Sequence, residues 1–162
     1  SEFSGALDLT TIGLLGHSTG GGADVDVALD DSRIDALIGL DAWVEPLEGS
    51  RMDTGLSVPS LFLRSGDWEE SYNNANLLNL VSSSGDDATF YQIDGTTHSD
   101  FAMVYMYSPL TKTIGFSGDV ESDTLQPMLE TMITDFFART LKSDADSEID
   151  PDMWEEVRKI TP

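Results

Sequence analysis

Cysteine is absent from this 162-residue chain, which removes disulfides, thiolate nucleophiles and cysteine-based metal sites together. The redox compartment stays open, since secreted proteins also do without cysteine. Positive charge is scarce: 8 Lys and Arg stand against 30 Asp and Glu, for a net charge of −22. Such a surface repels the phosphates of nucleic acid and anionic membrane faces, so no nucleic-acid partner is expected. An acidic excess suits an interaction surface or a high-salt habitat, where salt screens the self-repulsion, and the habitat is the preferred reading. No apolar run approaches the roughly 18 residues of a membrane span, so no transmembrane segment is expected. The opening residues, Ser1-Glu2-Phe3-Ser4-Gly5, hold no initiator Met, no basic stretch and no apolar stretch. They read as a cut boundary, with any targeting signal upstream and the localisation unknown. Histidine is scarce too, with only His17 and His98.

What is present is the composition of a packed fold. Hydrophobic residues make up 40% of the chain, with three Trp, four Tyr and seven Phe spread along it. Residues 11–15 (TIGLL) form a short apolar, β-branched run that fits a buried parallel strand. A glycine-rich turn, Gly16-His17-Ser18-Thr19-Gly20-Gly21-Gly22, comes directly after it, and then Val25 and Leu29 fall at helical spacing. Residues 33–42, 58–65 and 88–93 read as three further strands. Residues 69–82 read as an amphipathic helix, with Ala75, Leu78 and Val81 on one side. Residues 125–141 carry a Leu129, Ile133, Phe136, Phe137, Leu141 stripe that predicts a long closing helix, with Pro127 near its start. Asp150-Pro151 supplies an N-cap and a first-turn proline, predicting a short final helix over 150–160. Strands alternating with helices imply a parallel α/β sheet with right-handed crossovers.

Gly16-x-Ser18-x-Gly20 matches a nucleophile elbow in the context that gives it meaning, after an apolar strand and before a helix. The strand-to-helix turn holds the serine in a strained conformation, and small residues two places before and after it avoid clashes. Its hydroxyl is then lifted to the helix N-terminus, where the dipole favours developing negative charge. A serine of ordinary pKa needs a base. His17 adjoins the serine, and a neighbour on this turn would point away from its hydroxyl, so His98, in the loop that leaves the strand at 88–93, is the candidate base by elimination. Two acids compete for the third place. Asp41 ends the strand after the elbow helix, and Asp67, in Ser65-Gly66-Asp67-Trp68, ends the next one. Spacing alone favours Asp67.

Three segments, Gly16-His17-Ser18-Thr19-Gly20-Gly21, then Gly39-Leu40-Asp41-Ala42-Trp43 with Pro46, then Gly95-Thr96-Thr97-His98-Ser99-Asp100-Phe101, resemble the platelet-activating-factor acetylhydrolase family and its bacterial relatives. The resemblance runs from about Leu9 to Leu141. It implies an α/β-hydrolase fold, here the C-terminal portion of a mostly parallel sheet flanked by helices. It also implies a serine esterase whose triad is Ser18, Asp41 and His98, moving the acid from Asp67 to Asp41. The Thr19 N–H would be one oxyanion donor. The second would come from an N-terminal half of the same hydrolase domain, as a preceding segment or a separate chain. Residues 1–142 are then the C-terminal catalytic half, and residues 143–162 an acidic linker and a short terminal helix.

The implied substrate is a small-molecule or lipid ester, with short-acyl and oxidised lipid esters in view, and no cofactor or metal is required. Trp43, Trp68, Phe101 and Tyr105 come after the strand ends, where ligands bind in open α/β sheets. The first three are candidate pocket residues, and core filling explains all four equally. The acidic run Asp144, Asp146, Glu148, Asp150, Asp152 imitates a calcium loop, but Ile149 occupies the place where that loop needs glycine, so the run reads as a solvated linker. A non-catalytic binding or scaffold module of the same fold, or a fragment inactive without its N-terminal half, is the alternative to an enzyme.

Overall fold

Every residue of β2 (Ala36–Leu40) and β3 (Ser60–Ser65) is buried, the pattern of parallel strands covered on both faces. The computed structural model describes residues 4–6 and 8–162. It sets these strands at the centre of a five-stranded sheet in the order β1-β2-β3-β4-β5, with β1 (Gly13–His17) at one edge and β4 (Ala88–Ile93) on the far side of β3. The first four strands run parallel, and β5 (Val157–Lys159) pairs antiparallel with β4, Val157 opposite Ile93.

The side-chain alternation of these strands separates two cores. Leu37, Phe62 and Phe90 point to one face, where α1 (Thr19–Asp30) contributes Val25 and Ala28, and α3 (Asn73–Ser84) contributes Leu77 and Leu80. The four-residue α2 (Gly49–Met52) adds Met52 to that side. Ile38, Leu61, Leu63 and Tyr91 point to the other face, which α4 (Ser122–Leu141) covers with Leu125, Met128, Leu129 and Met132. The result is three layers, helix on sheet on helix. No helix among the described residues is long and apolar enough to cross a membrane.

Most elements lie within a few residues of the sequence expectation, and the 88–93 strand matches it at both ends. The tail does not. Asp150 does cap a turn, its carboxylate accepting from the Asp152 N–H at 3.0 Å, but that 3-10 turn stops at Met153. Residues 157–159 then extend along β4 instead of forming the expected helix, so β4 is not the last strand. The cap signal is local, whereas the strand is fixed by a partner more than sixty residues away. Arg158 fastens it: its guanidinium pairs with Asp94 at 3.0 Å and with Glu69 at 3.2 Å.

Candidate active site

The elbow is built from backbone before any chemistry is added. Ser18 has φ 57°, in the left-handed region that a side chain adopts only under constraint. The constraints are visible. Its N–H donates to Leu40 O at 3.0 Å, and its own carbonyl accepts from Gly22 N–H at 3.0 Å and from Trp43 N–H at 2.8 Å. The turn is thereby tied both to the end of β2 and to the chain that leaves it. Gly16 is required because a Cβ there would lie 2.6 Å from Gly21 N, and Gly22 because one would lie 2.0 Å from the Trp43 carbonyl oxygen. Gly20, the second glycine of the motif, faces open space. The close approaches thus fall on Gly16 and, one and two places beyond the second position the motif marks, on Gly21 and Gly22.

Ser18 occupies the N-cap position of α1, yet its hydroxyl makes no capping bond. It turns instead toward His98, with Oγ 3.0 Å from Nε2. The other ring nitrogen, Nδ1, lies 2.9 Å from Asp41 Oδ2. A carboxylate can only accept, so Nδ1 carries the proton and Nε2 presents its lone pair to the Ser18 hydroxyl. Asp41 is 1% exposed. Its Oδ1 accepts from the Ser65 N–H at 2.7 Å, and its Oδ2 also takes the Ser65 hydroxyl. The first-turn amides of α1, which begins at Thr19, have no intrahelical acceptor and form the positive end of the helix that Ser18 caps.

Asp67 reaches the same histidine by a different route. Its Oδ1 accepts the main-chain N–H of His98 at 3.0 Å and lies 2.8 Å from Ser65 Oγ. The two competing acids therefore converge on one loop, Asp41 at its ring and Asp67 at its backbone. The loop is held from below by buried Asp100, whose Oδ2 accepts from Thr97 N–H and Gly118 N–H, both at 2.8 Å. Buried Asn73 pins the chain after Asp41, accepting from Val44 N–H and donating to Ala42 O.

His17 and the aromatic candidates separate. The His17 Nε2 lies 3.0 Å from His98 O, and since a carbonyl only accepts, that nitrogen is protonated and donates. Burial, and after it the neighbouring His98, pushes His17 below the ordinary imidazole value and so favours its neutral form. Trp68 stacks flat on the His98 ring. Trp43 is 41% exposed at the mouth of the elbow. Phe101 corrects the sequence expectation: it is 3% exposed and packs with Leu63 and Met128 in the α4-side core, so it offers no wall to a ligand. Tyr105 packs against the same core, and burial raises its hydroxyl's pKa.

His17, Asp41 and His98 also bring one donor atom each within 4.8 Å of one another. All three side chains are engaged in the hydrogen bonds just described, His98 with the Asp41 carboxylate and His17 with the His98 carbonyl. Ser18 and His98 are both half-buried, the His98 side chain 28% exposed. A cavity of about 470 Å³ is lined by Ser60, Thr89, Tyr91 and Arg139, at the opposite end of the strands.

Ser65, Asn73 and Asp100 were not singled out by the sequence. Ser65 and Asp100 lie inside segments singled out for other residues, and a polar residue ending an apolar strand is the only signal that Ser65 gives. Asn73 gives none.

Three comparisons bear on this arrangement. The profile of the family described as platelet-activating factor acetylhydrolase, isoform II, matches residues 1–159. A platelet-activating factor acetylhydrolase from Gallus gallus is 28% identical over 98 residues, which are 59% of this chain and 22% of that protein. A ferulic acid esterase from Streptomyces cinnamoneus superposes with a TM-score of 0.75 at 21% identity, over 96% of this chain and 48% of the esterase. That likeness is one of fold, the α/β-hydrolase fold of a mostly parallel sheet with flanking helices. The chain spans less than half the length of either relative.

Proposed function

Because the chain belongs to the platelet-activating factor acetylhydrolase, isoform II, family, we propose that it cleaves carboxylic esters as a serine hydrolase, with Ser18 as nucleophile, His98 as base and Asp41 as acid. The observation that carries this reading is the unbroken row from Ser18 Oγ to His98 Nε2, 3.0 Å, and from His98 Nδ1 to Asp41 Oδ2, 2.9 Å, on a serine held at φ 57°.

In this reading the Ser18 hydroxyl attacks the ester carbonyl while Nε2 of His98 takes its proton. The carbonyl π pair moves onto oxygen, and the resulting anion is held by the Thr19 N–H at the start of α1. The tetrahedral adduct collapses, His98 returns the proton to the departing alkoxide, and an acyl-Ser18 ester remains. Water repeats the sequence, with His98 first as base and then as acid. Asp41 keeps Nδ1 protonated, fixes the ring and offsets the charge that His98 acquires. The chemistry is complete with side chains and backbone amides, and it requires no cofactor.

One oxyanion donor is worth about 3 kcal/mol of barrier, and hydrolases of this fold use two. The reading therefore includes a further segment of the hydrolase domain that supplies a second donor and the walls of the substrate cleft. One observation favours it: β1 has β2 as its only neighbour among the described residues. The substrates proposed are short-acyl and oxidised lipid esters, in line with the acetylhydrolase relative. The acidic surface suits a high-salt setting.

The test is turnover of p-nitrophenyl acetate and labelling by a fluorophosphonate probe, run beside Ser18→Ala. Labelling that disappears in Ser18→Ala supports the reading. If the wild type is not labelled even with the rest of a hydrolase domain supplied, the chain is a binding module and the reading fails.

A further inference from the structure

Two rings pack against the imidazole of His98. The Trp68 indole lies parallel to it, 4° between planes and 4.1 Å between centroids, and the His17 ring stands 4.4 Å away at 37°. Offset or parallel stacking at this distance is attractive in itself, and the face of an indole is electron-rich, so it also draws a cation laid against it.

The turn that carries Trp68 is held at several points. Gly66, Asp67 and Trp68 form a 3-10 turn at the end of β3. Gly66 N–H reaches Thr96 Oγ1 at 3.4 Å, and Asp67 N–H reaches Thr96 O at 3.3 Å. Asp67 Oδ1 in turn receives His98 N–H at 3.0 Å. Beyond the turn, Ser71 N–H bonds to Trp68 O at 3.1 Å, and Glu69 is paired with Arg158 of β5 at 3.2 Å. The turn and the His98 loop are thus joined by backbone on one side of the imidazole, and the indole covers its face. An indole face already covered by imidazole is not free to line an acyl pocket.

We propose that Trp68 is a positioning residue for His98: stacked on the imidazole, it fixes the ring between Ser18 and Asp41 and steadies it while it holds the Ser18 proton. The proposal rests on the ester-hydrolase reading for its kinetic consequence but not for its geometric one. Without the indole, the ring keeps its two in-line hydrogen bonds but gains freedom to rotate out of the line between Oγ and the carboxylate. The penalty then falls on the proton transfer and not on binding of the ester.

Two readouts test it. Steady-state kinetics on p-nitrophenyl acetate and p-nitrophenyl butyrate should show kcat lowered about 10- to 100-fold in Trp68→Leu with KM within about twofold for both esters. Trp68→Phe, which keeps a stacking ring, should restore kcat to within about threefold of wild type. Trp68→Gln serves as the second ring-free variant if leucine disturbs the turn. The second readout needs no turnover: the far-downfield proton resonance of His98 Nδ1–H, monitored by NMR in the Ser18→Ala background. It should persist in Trp68→Phe and broaden away in Trp68→Leu as the freed ring exchanges with water.

An unchanged kcat in the ring-free variants, or a defect confined to KM that grows from acetate to butyrate, would overturn positioning in favour of a pocket role. If the wild type hydrolyses no ester, the function reading fails alone and the resonance decides: its loss in Trp68→Leu still supports positioning, and its persistence overturns it.

Discussion

Asp67 Oδ1 lies 3.0 Å from the main-chain nitrogen of His98, while the ring of the same histidine turns Nδ1 to Asp41 at 2.9 Å. One carboxylate addresses the loop and the other the imidazole, and this division predicts unequal losses. Asp41→Asn should lower kcat about 10⁴-fold, because an amide in place of the carboxylate no longer holds the proton on Nδ1. Asp67→Asn keeps an oxygen for the His98 N–H and should cost less than about tenfold. Turnover of p-nitrophenyl acetate by the two variants checks this, and the reverse order would make Asp67 the acid.

The glycines of the elbow should separate by stability. Gly22→Ala places a methyl 2.0 Å from the Trp43 carbonyl oxygen, a backbone atom that cannot swing aside. It should cost about 3 kcal/mol or more, read as a shift in the urea midpoint. Gly20→Ala meets nothing within 4 Å and should leave the protein unchanged or more stable by about 0.5–1 kcal/mol, the helix preference for alanine.

His17 predicts a pH effect of definite sign. Its pKa is lowered from 6.5 in the folded chain, mainly by burial and then by His98, so the folded state binds its proton less readily than the unfolded state. The stabilisation is therefore present above pH 6.5 and is lost as pH falls toward the lowered value. His17→Gln removes the titration and keeps an N–H for the His98 carbonyl. Thermal unfolding between pH 8 and pH 5 should show the wild type losing more of its Tm than the variant as pH drops; parallel curves would contradict this.

How much of this was legible in the sequence depended on the range of the interaction involved. The strained turn at Ser18 was legible because it is a local backbone requirement, written as glycines and an apolar strand within ten residues. The pairing of His98 with Ser18 was legible because the chain offers only one other histidine. Asp41 and Asp67 were not separable by spacing, since both strand ends deliver a carboxylate to Ser65 and the His98 loop. The LDAW resemblance favoured Asp41, but nothing local revealed that Asp67 would take the backbone N–H. Phe101 lies three residues past His98, where the chain turns back into the core, and a position after a strand end does not tell inward from outward. The 150–160 helix failed in the same way: Asp150-Pro151 does start a turn, but the β4 edge sets the path of the chain beyond it.

Salt should act on the whole surface. At a net charge of −22 the folded chain repels itself, and screening relieves that repulsion over roughly a Debye length of 10 Å at 0.1 M and 3 Å at 1 M. The exposed Arg158 pairs weaken under the same conditions, but each is worth at most about 1 kcal/mol. Tm should therefore rise from low salt to molar NaCl. A Tm that is flat or falling across that range would remove the support for a high-salt setting.

The position of β5 also bears on how the protein can be handled. Its Arg158 grips Glu69, next to the turn that carries Trp68, and Asp94, just ahead of the His98 loop. Force applied through a purification tag, a fusion partner or a bead attached after Lys159 would pass first into this short strand and then into the two segments that cradle the imidazole. Attachment through the exposed face of α1 would load the imidazole from its other side, since Ser18 stands at the N-cap of that helix and bonds to His98.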